Sequence, residues 1–202
     1  MNIFGRCFCF RSTDDVEKKS YRFCDIDSTS AFRIEPDKQW ARVIDIYDGD
    51  TITCIIKLHK KYPYKFQVRL AGIDTCELRS KNPDVRSKAI EARQFVIQTI
   101  TGCSDDVLQK LTTRNAIKNF LNKASYFVWI HVTGFDKYGR VLANIYTHKS
   151  ETSTYPLHKI LQAPKSISDI LVEKGLAYVY NGRTKLTEEA QFETMCQPTL
   201  SI

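Results

Sequence analysis

Hydrophobic and polar residues alternate in several short segments after residue 40, which is the pattern of strands with one buried face. The clearest example runs from Tyr64 to Leu70, where Lys65, Gln67 and Arg69 separate the apolar positions. This pattern puts Arg69 on the face opposite the apolar side chains. Four more strands are predicted, at 41–47, 51–58, 126–132 and 140–146.

Helices are predicted between and after these strands. Asn82 and Pro83 suit a helix start, Gly102 suits its end, and apolar residues recur on one face between them. Further helices are predicted within 104–124, after the capping-box pattern at 166–169, and within 186–196. Five short strands with a helix between the third and fourth favour an α+β, mainly β fold: a five-stranded OB barrel with flanking helices, in preference to a sandwich.

Three regions are predicted along the chain. Residues 1–38 lack lasting periodicity and are expected to form an N-terminal tail, partly disordered or docked on the rest. The barrel domain is expected to span 39–184 and to carry a helical insertion at about 104–124. Residues 185–202 are expected to form a short helix and a tail.

Charge is distributed unevenly between the tail and the rest of the chain. The 202 residues include 30 basic and 23 acidic side chains, which gives a formal charge of +7. Residues 1–38 are neutral, so the remainder carries the whole excess. A basic body suits a polyanionic partner such as nucleic acid, and composition alone leaves a general solubility charge equally open.

The cysteine pattern indicates reduced thiols and no zinc site. The seven cysteines include no C-x-x-C pair, and the four histidines do not stand at ligand spacing from any cysteine pair. Met1–Phe10 lacks the features of a secretory signal, and no run of 18 apolar residues occurs. We therefore expect an intracellular, cytoplasmic protein with no transmembrane segment.

Two cysteines near the start are candidates for lipid attachment. Cys7 and Cys9 alternate with aromatic residues, and Arg6 and Arg11 bracket the group. Cysteines in such surroundings can be S-acylated, which would give peripheral membrane association through the tail. An ordinary unmodified tail is the alternative.

Several polar residues near strand ends would form a phosphodiesterase site if the fold brought them together. Asp50 and Asp74, with a main-chain oxygen near Thr75, supply the hard oxygen ligands that Ca²⁺ prefers. A nearby Glu77 would orient or deprotonate a water molecule. Arginines at 69 and 140 would bind the phosphate oxygens and stabilise charge during displacement. The alternatives are a purely structural Asp-Gly-Asp turn and ordinary salt-bridged arginines.

Three blocks carry a family resemblance: Asp48–Thr51 (D-G-D-T), Val68–Glu77 (V-R-L-A-G-I-D-T-C-E) and Asp136–Arg140 (D-K-Y-G-R). In type, order and predicted secondary structure they resemble the signature of the staphylococcal-nuclease-like proteins, the thermonucleases. The resemblance extends from about Trp40 to Tyr180. It implies a Ca²⁺-dependent hydrolase, an endonuclease that cleaves DNA and RNA with little sequence specificity and leaves 3′-phosphate ends.

The resemblance also implies residue roles. The implied catalytic residues are Arg69, Glu77 and Arg140; the implied metal ligands are Asp50, Asp74 and Thr75; the implied substrate-binding residues are Lys137, Tyr138, Tyr178 and Tyr180. We expect a monomer that prefers single-stranded or frayed substrate.

Departures from the family pattern leave open questions. Cys76 stands where the family usually has proline, which frees the loop backbone and places a thiol beside the site, so oxidation is a candidate means of inhibition. The 104–124 insertion either shapes substrate access or extends the shell. For Tyr178 and Tyr180, simple packing is the alternative role. The rival to a nuclease is a weak or inactive nucleic-acid-binding or protein-interaction module on the same fold.

Overall fold

The computed structural model describes residues 18–19, 27–28, 34, 37–58, 61–147 and 165–196. The chain divides into two compact units, Met1–Arg33 and Ile34–Ile202. In the first unit, residues 18–19 are helical and residues 27–28 form a turn. Cys7 and Cys9 lie outside the described residues, so their acylation stays a prediction.

A closed five-stranded barrel forms the second unit, as the alternating sequence pattern predicts. The strands are β1 (Asp37–Ile46), β2 (Thr51–Leu58), β3 (Tyr62–Leu70), β5 (Tyr126–Phe135) and β6 (Val141–Tyr146). Neighbouring strands follow the order β1-β2-β3-β6-β5, and β3 and β6 run parallel whereas the other pairs are antiparallel. The predicted tail boundary at residue 38 falls inside β1.

A second sheet was not predicted from the sequence, because each of its strands has only two residues. It pairs β4 (Ile73–Asp74) with β7 (Tyr178–Val179) in antiparallel register, so that Asp74 lies opposite Tyr178. Alternation cannot be detected over two positions. This short pairing links the end of the third barrel strand to the C-terminal part of the unit.

The helices begin and end largely where the sequence predicts. In α1 (Pro83–Thr101), the Asn82 side chain accepts a hydrogen bond from the Asp84 amide at 2.9 Å, and Gly102 closes the helix with φ of +64°. The insertion contains two helices, α2 (Asp105–Leu108) and α3 (Arg114–Lys123). The predicted capping box precedes α4 (Ile167–Glu173), and α5 (Glu188–Cys196) is the last described element.

The barrel interior is apolar, and α1 covers it through Ala92, Val96 and Ile97. A smaller apolar cluster lies beside β4 and β7 and includes Cys76, Val85, Ala89, Tyr178 and Met195. Burial of this side-chain area favours folding and fixes the loop that follows β4. Within the described residues, no helix is both long enough and apolar enough to cross a membrane.

Candidate active site

The β1–β2 turn lies directly against α1 and the loop after β4. A Cβ atom on Gly49 would stand 2.7 Å from Ala92 Cβ and 2.9 Å from Thr75 Cγ2, closer than such atoms approach. Only glycine therefore fits between Asp48 and Asp50 in this packing. The close approach brings the carboxylate of Asp50 next to residues that follow β4.

Arg69 joins the two buried aspartates. Its Nη1 donates to Asp50 Oδ1 at 2.5 Å, and its Nη2 donates to Asp74 Oδ1 and to the carbonyl oxygen of Ile73. All three side chains are largely removed from solvent. A buried charge persists only when it is paired and hydrogen-bonded, and the single guanidinium offsets part of the charge of the two carboxylates.

Asp50 accepts further hydrogen bonds. Its Oδ2 accepts from the Thr75 amide at 3.1 Å and from the Thr75 hydroxyl at 3.2 Å. The Thr51 hydroxyl donates to Oδ1 at 2.8 Å. These donors fix the carboxylate and tie the β1–β2 turn to the loop after β4.

Asp74 is fully buried, and Tyr178 holds it from β7. The Tyr178 hydroxyl donates to Asp74 Oδ2 at 2.9 Å, and the ring itself is buried. Burial, and then the Asp74 carboxylate, raise the pKa of Tyr178. A buried ring that supports Asp74 presents no face to a base, so this placement favours the packing alternative for Tyr178 over the predicted substrate-binding role.

Glu77 lies after β4 and pairs with Lys185. The Lys185 ammonium is 2.8 Å from Glu77 Oε1 and 3.1 Å from Asp74 Oδ2, so it touches both carboxylates. Burial on its own would lower the pKa of Lys185, but Glu77 and Asp74 reverse the effect and raise it. The predicted domain boundary after residue 184 separates Lys185 from these partners, whereas the structure places it among them.

Arg140 is held by the turn between β5 and β6. Asp136 Oδ1 accepts from the amides of Tyr138 and Arg140, both at 2.8 Å, and Asp136 Oδ2 accepts from Arg140 Nε at 2.6 Å. Gly139 adopts φ of +79°, which the tight turn requires. Only Nε takes part in this pairing, so among the described residues the terminal nitrogens of Arg140 are left to bind a phosphate.

Two aromatic residues stand at the edge of the cleft. Tyr138 is 72% exposed, with the Lys137 ammonium 5.1 Å and the Arg140 guanidinium 5.5 Å from its ring centre. The Tyr180 hydroxyl donates to the Arg183 carbonyl at 2.5 Å. The exposed ring of Tyr138 beside two cations is suited to stacking on a base next to a bound phosphate, whereas Tyr180 is half-buried and packs against Tyr178.

These elements surround one open cleft of about 1200 Å³. Its lining comes from the β1–β2 turn, the end of β3, the loop after β4, the β5–β6 turn and residues 180–185. The basic lining residues are Arg69, Arg114, Lys137, Arg140, Arg183 and Lys185, against the acidic Asp48, Asp50, Glu77 and Asp136. The cleft thus has more positive than negative side chains and suits an anionic ligand.

Acidic side chains crowd the base of the cleft. Burial and the neighbouring Asp50 raise the pKa of Asp48 to about 7. For Asp50, burial raises the pKa, Arg69 lowers it and Asp74 raises it, with a net increase. Carboxylates this close are stabilised by any added positive charge.

The donor set here fits a hard cation by type. Asp50 and Asp74 offer carboxylate oxygens and Thr75 a main-chain oxygen, and Ca²⁺ takes such ligands together with water. Among the described residues, no group of three or more His, Cys, Asp or Glu side chains is arranged to hold a metal. Two side-chain cations, Arg69 and Lys185, occupy the aspartate oxygens instead.

Cys76 is buried among apolar side chains next to the site. Its thiol packs with Val85 and Ala89, and burial raises its pKa to about 11. Since the thiolate is the form that reacts, oxidation at Cys76 is disfavoured. The structure therefore argues against Cys76 as a means of inhibition.

The insertion reaches the cleft through Arg114, at the start of α3. Its Nε and Nη2 donate to Asp45 Oδ2 at 2.8 and 2.6 Å, and its guanidinium lies 5.0 Å from the ring centre of Tyr47. Asp45 is buried in β1, and Lys118 contacts the same oxygen at 3.6 Å. The insertion thus both covers the barrel and contributes a cation to the cleft wall.

Arg114→Met is expected to lower the free energy of unfolding by about 2 kcal/mol, because it removes the main partners of a buried carboxylate. Urea unfolding measures this change. The double variant Asp45→Asn, Arg114→Met should lose less than the sum of the single losses, since no charge is left unpaired. Strict additivity would contradict the coupling.

The structure brings together most of the predicted site residues. Asp74 lies buried beneath the cleft. The predicted residues that line it are Arg69, Glu77, Arg140, Asp50, Thr75, Lys137, Tyr138 and Tyr180. Lys185, Asp136 and Arg114 were missed. The D-K-Y-G-R block offered a signal for Asp136 as the acceptor that organises the turn. No local pattern marks Lys185.

Comparison with known proteins identifies a family. The sequence profile of the family described as staphylococcal nuclease homologue matches residues 67–197. The match includes Arg69, Asp74, Glu77 and Arg140 and begins after the β1–β2 turn that carries Asp50. A search of curated proteins gives no match.

Proposed function

Since the chain belongs to the staphylococcal nuclease homologue family, whose members are generally calcium-dependent hydrolytic nucleases, we propose that it is itself an active endonuclease. It hydrolyses phosphodiester bonds of DNA and RNA with little sequence specificity and leaves 3′-phosphate ends. One observation carries the proposal: carboxylates and arginines from separate chain segments converge on a single cleft with a net positive lining.

Arg69 and Arg140 have different parts in the proposed mechanism. Arg140 is fixed through Nε on Asp136, and its terminal nitrogens bind the equatorial oxygens of the phosphate. Arg69 lies deeper and is shared between Asp50 and Asp74. It offsets part of the charge of these carboxylates and so makes the site less negative where the phosphate binds.

Glu77 holds the attacking water. It lines the cleft beside Thr75 and is about half exposed, so water reaches it. A carboxylate within hydrogen-bond reach of water orients it and accepts its proton. Lys137 and Tyr138 at the cleft edge bind the neighbouring phosphate and base.

Asp50, Asp74 and the main-chain oxygen of Thr75 are the proposed ligands of Ca²⁺. When bound, the cation neutralises a phosphate oxygen and favours deprotonation of water. Asp50 is already oriented by Thr51 and Thr75, and Asp74 by Tyr178, so little rearrangement of the carboxylates themselves is needed.

Single-stranded or frayed substrate is favoured in this proposal. Tyr138 and Tyr180 stack on unpaired bases, and stacking reads no sequence because every base has an aromatic face. A monomeric state, an intracellular setting and membrane association through Cys7 and Cys9 remain predictions.

Digestion of matched DNA and RNA oligonucleotides, single-stranded and duplex, tests the substrate class. We expect cleavage of both single strands in Ca²⁺, slower cleavage of duplex, and products that polynucleotide kinase labels at the 5′ end without prior phosphatase. Rates should fall as salt rises, because basic side chains bind the backbone. Tight binding without any cleavage would favour the rival, an inactive binding module.

A further inference from the structure

The ammonium group of Lys185 lies beside the carboxylates that are proposed to hold the metal ion and the attacking water. Its ammonium contacts Asp74 Oδ2 and Glu77 Oε1 at 3.1 and 2.8 Å. One of these carboxylates is a proposed metal ligand and the other the proposed water-holding group. A divalent ion that binds Asp74 next to Glu77 therefore meets an ammonium group already in contact with both.

The chain on either side of Lys185 is anchored, so the fold places the residue beside these carboxylates while its side chain stays free to move. On one side, the Tyr180 amide donates to the Gly72 carbonyl at 2.8 Å. On the other side, the Ser80 hydroxyl donates to Glu188 Oε2 at 2.6 Å, and Gln191 Nε2 donates to the Leu186 carbonyl at 2.8 Å. These bonds hold the segment that carries Lys185 over the loop after β4.

The burial of the partners makes this pairing consequential. Asp74 has no exposed surface, while Lys185 retains 42% exposure of its side chain. A buried carboxylate depends on nearby cations, whereas a flexible lysine can move its head group into water. Lys185 is therefore the more easily displaced of the two cations on Asp74, since Arg69 is buried and also bonds Asp50.

We propose that Lys185 is a built-in counter-ion that competes with a divalent cation for Asp74 and Glu77. This inference rests on the proposed calcium-dependent function. Lys185 neutralises the carboxylates while the site holds no metal and withdraws when the ion binds. By linkage, a cation that must displace an ammonium group binds more weakly than one that finds the carboxylates open.

Calorimetric titration of the full chain with CaCl₂ tests the inference. Lys185→Met keeps the apolar stem and removes the charge, so we expect its Kd for Ca²⁺ to fall by about five- to tenfold. Lys185→Gln also removes the charge while keeping a donor for the carboxylates, and the same direction is expected. Lys165→Met is the matched control: it removes an exposed ion pair with Glu173 at 2.6 Å and should leave Kd unchanged.

Thermal unfolding gives a second readout that does not depend on activity. In EDTA, Lys185→Met should melt below the wild type, because Asp74 loses one of its cations. Added Ca²⁺ should then raise the Tm of the variant more than that of the wild type, since tighter binding gives greater stabilisation.

The outcomes separate this inference from the proposed function. Wild-type binding of Ca²⁺ with an unchanged or higher Kd in both Lys185 variants overturns the counter-ion inference and leaves the function standing. Absence of Ca²⁺ binding in every protein overturns both. Tighter binding confined to the Lys185 variants supports both.

Discussion

Arg69→Met is expected to lower the free energy of unfolding in EDTA by about 3 kcal/mol and to abolish nuclease activity. The substitution leaves Asp50 and Asp74 as buried carboxylates without their shared partner, and breaking a buried ion pair from one side costs about 3–5 kcal/mol. Urea unfolding in EDTA measures the loss of stability. Cleavage of a single-stranded oligonucleotide in Ca²⁺ measures the loss of activity.

Arg140→Met is the matched control, because the sequence predicts that both arginines bind phosphate, whereas the structure pairs only Arg69 with two buried carboxylates. Its partner Asp136 is half-buried but keeps the amide donors of Tyr138 and Arg140 in the variant, so stability should change by less than about 1 kcal/mol while activity is still lost. A double variant tests whether the unpaired carboxylates cause the loss. Adding Asp74→Asn to Arg69→Met removes one buried negative charge and should recover part of the stability. Equal stability losses for the two arginine variants would contradict the counter-ion role of Arg69.

Glu77→Gln is expected to lower the rate of cleavage by about 10²–10³-fold with an unchanged Tm. Glutamine keeps the shape and can still accept from Lys185, but it cannot take a proton from water. Single-turnover cleavage with saturating Ca²⁺ isolates the chemical step from binding. Glu91→Gln on the exposed face of α1 is the control and should behave as the wild type.

A rate within about threefold of the wild type in a folded Glu77→Gln would exclude Glu77 as the water-holding residue. A raised KM with normal turnover would instead indicate a role in substrate binding. The two results lead to different assignments of the same side chain.

The barrel and most of its site were predictable because their signals are local. Alternation over Tyr64–Leu70 identifies β3, and the Asp-Gly-Asp turn follows a predicted strand. In the structure, Gly49 packs so closely against Ala92 that no side chain fits at this position, which explains why the turn contains glycine. The capping box at Ser166 likewise acts within four residues and was found where the sequence indicates.

Features that depend on long-range contacts were not predictable. Lys185 and Glu77 are 108 residues apart, and their contact depends on the two-residue pairing of β4 with β7. The same pairing places Tyr178 against Asp74. The sequence alone does not distinguish this packing role from a role in binding substrate. The position of Arg114 in the cleft wall was also not predictable, because it depends on the contact between the start of α3 and the buried Asp45, 69 residues away in the sequence.

The arginine roles also separate only in three dimensions. From the sequence, Arg69 and Arg140 are two equivalent phosphate ligands, one near the end of a predicted strand and the other at the start of a predicted strand. The structure buries Arg69 between two carboxylates and leaves Arg140 on a surface turn. The same residue type therefore acts as an internal counter-ion at one position and as a substrate-facing donor at the other.

Digestion of a plasmid and of single-stranded DNA by the full chain, with Ca²⁺ or with EGTA, tests whether the protein is a calcium-dependent nuclease. The Glu77→Gln variant serves as the control for contaminating nuclease. We expect degradation of both substrates by the wild type in Ca²⁺, none in EGTA, and little by the variant in either condition. Cleavage at the same rate in EGTA would contradict a calcium-dependent mechanism. Intact substrate in Ca²⁺, with a folded protein that binds the substrate, would contradict nuclease activity.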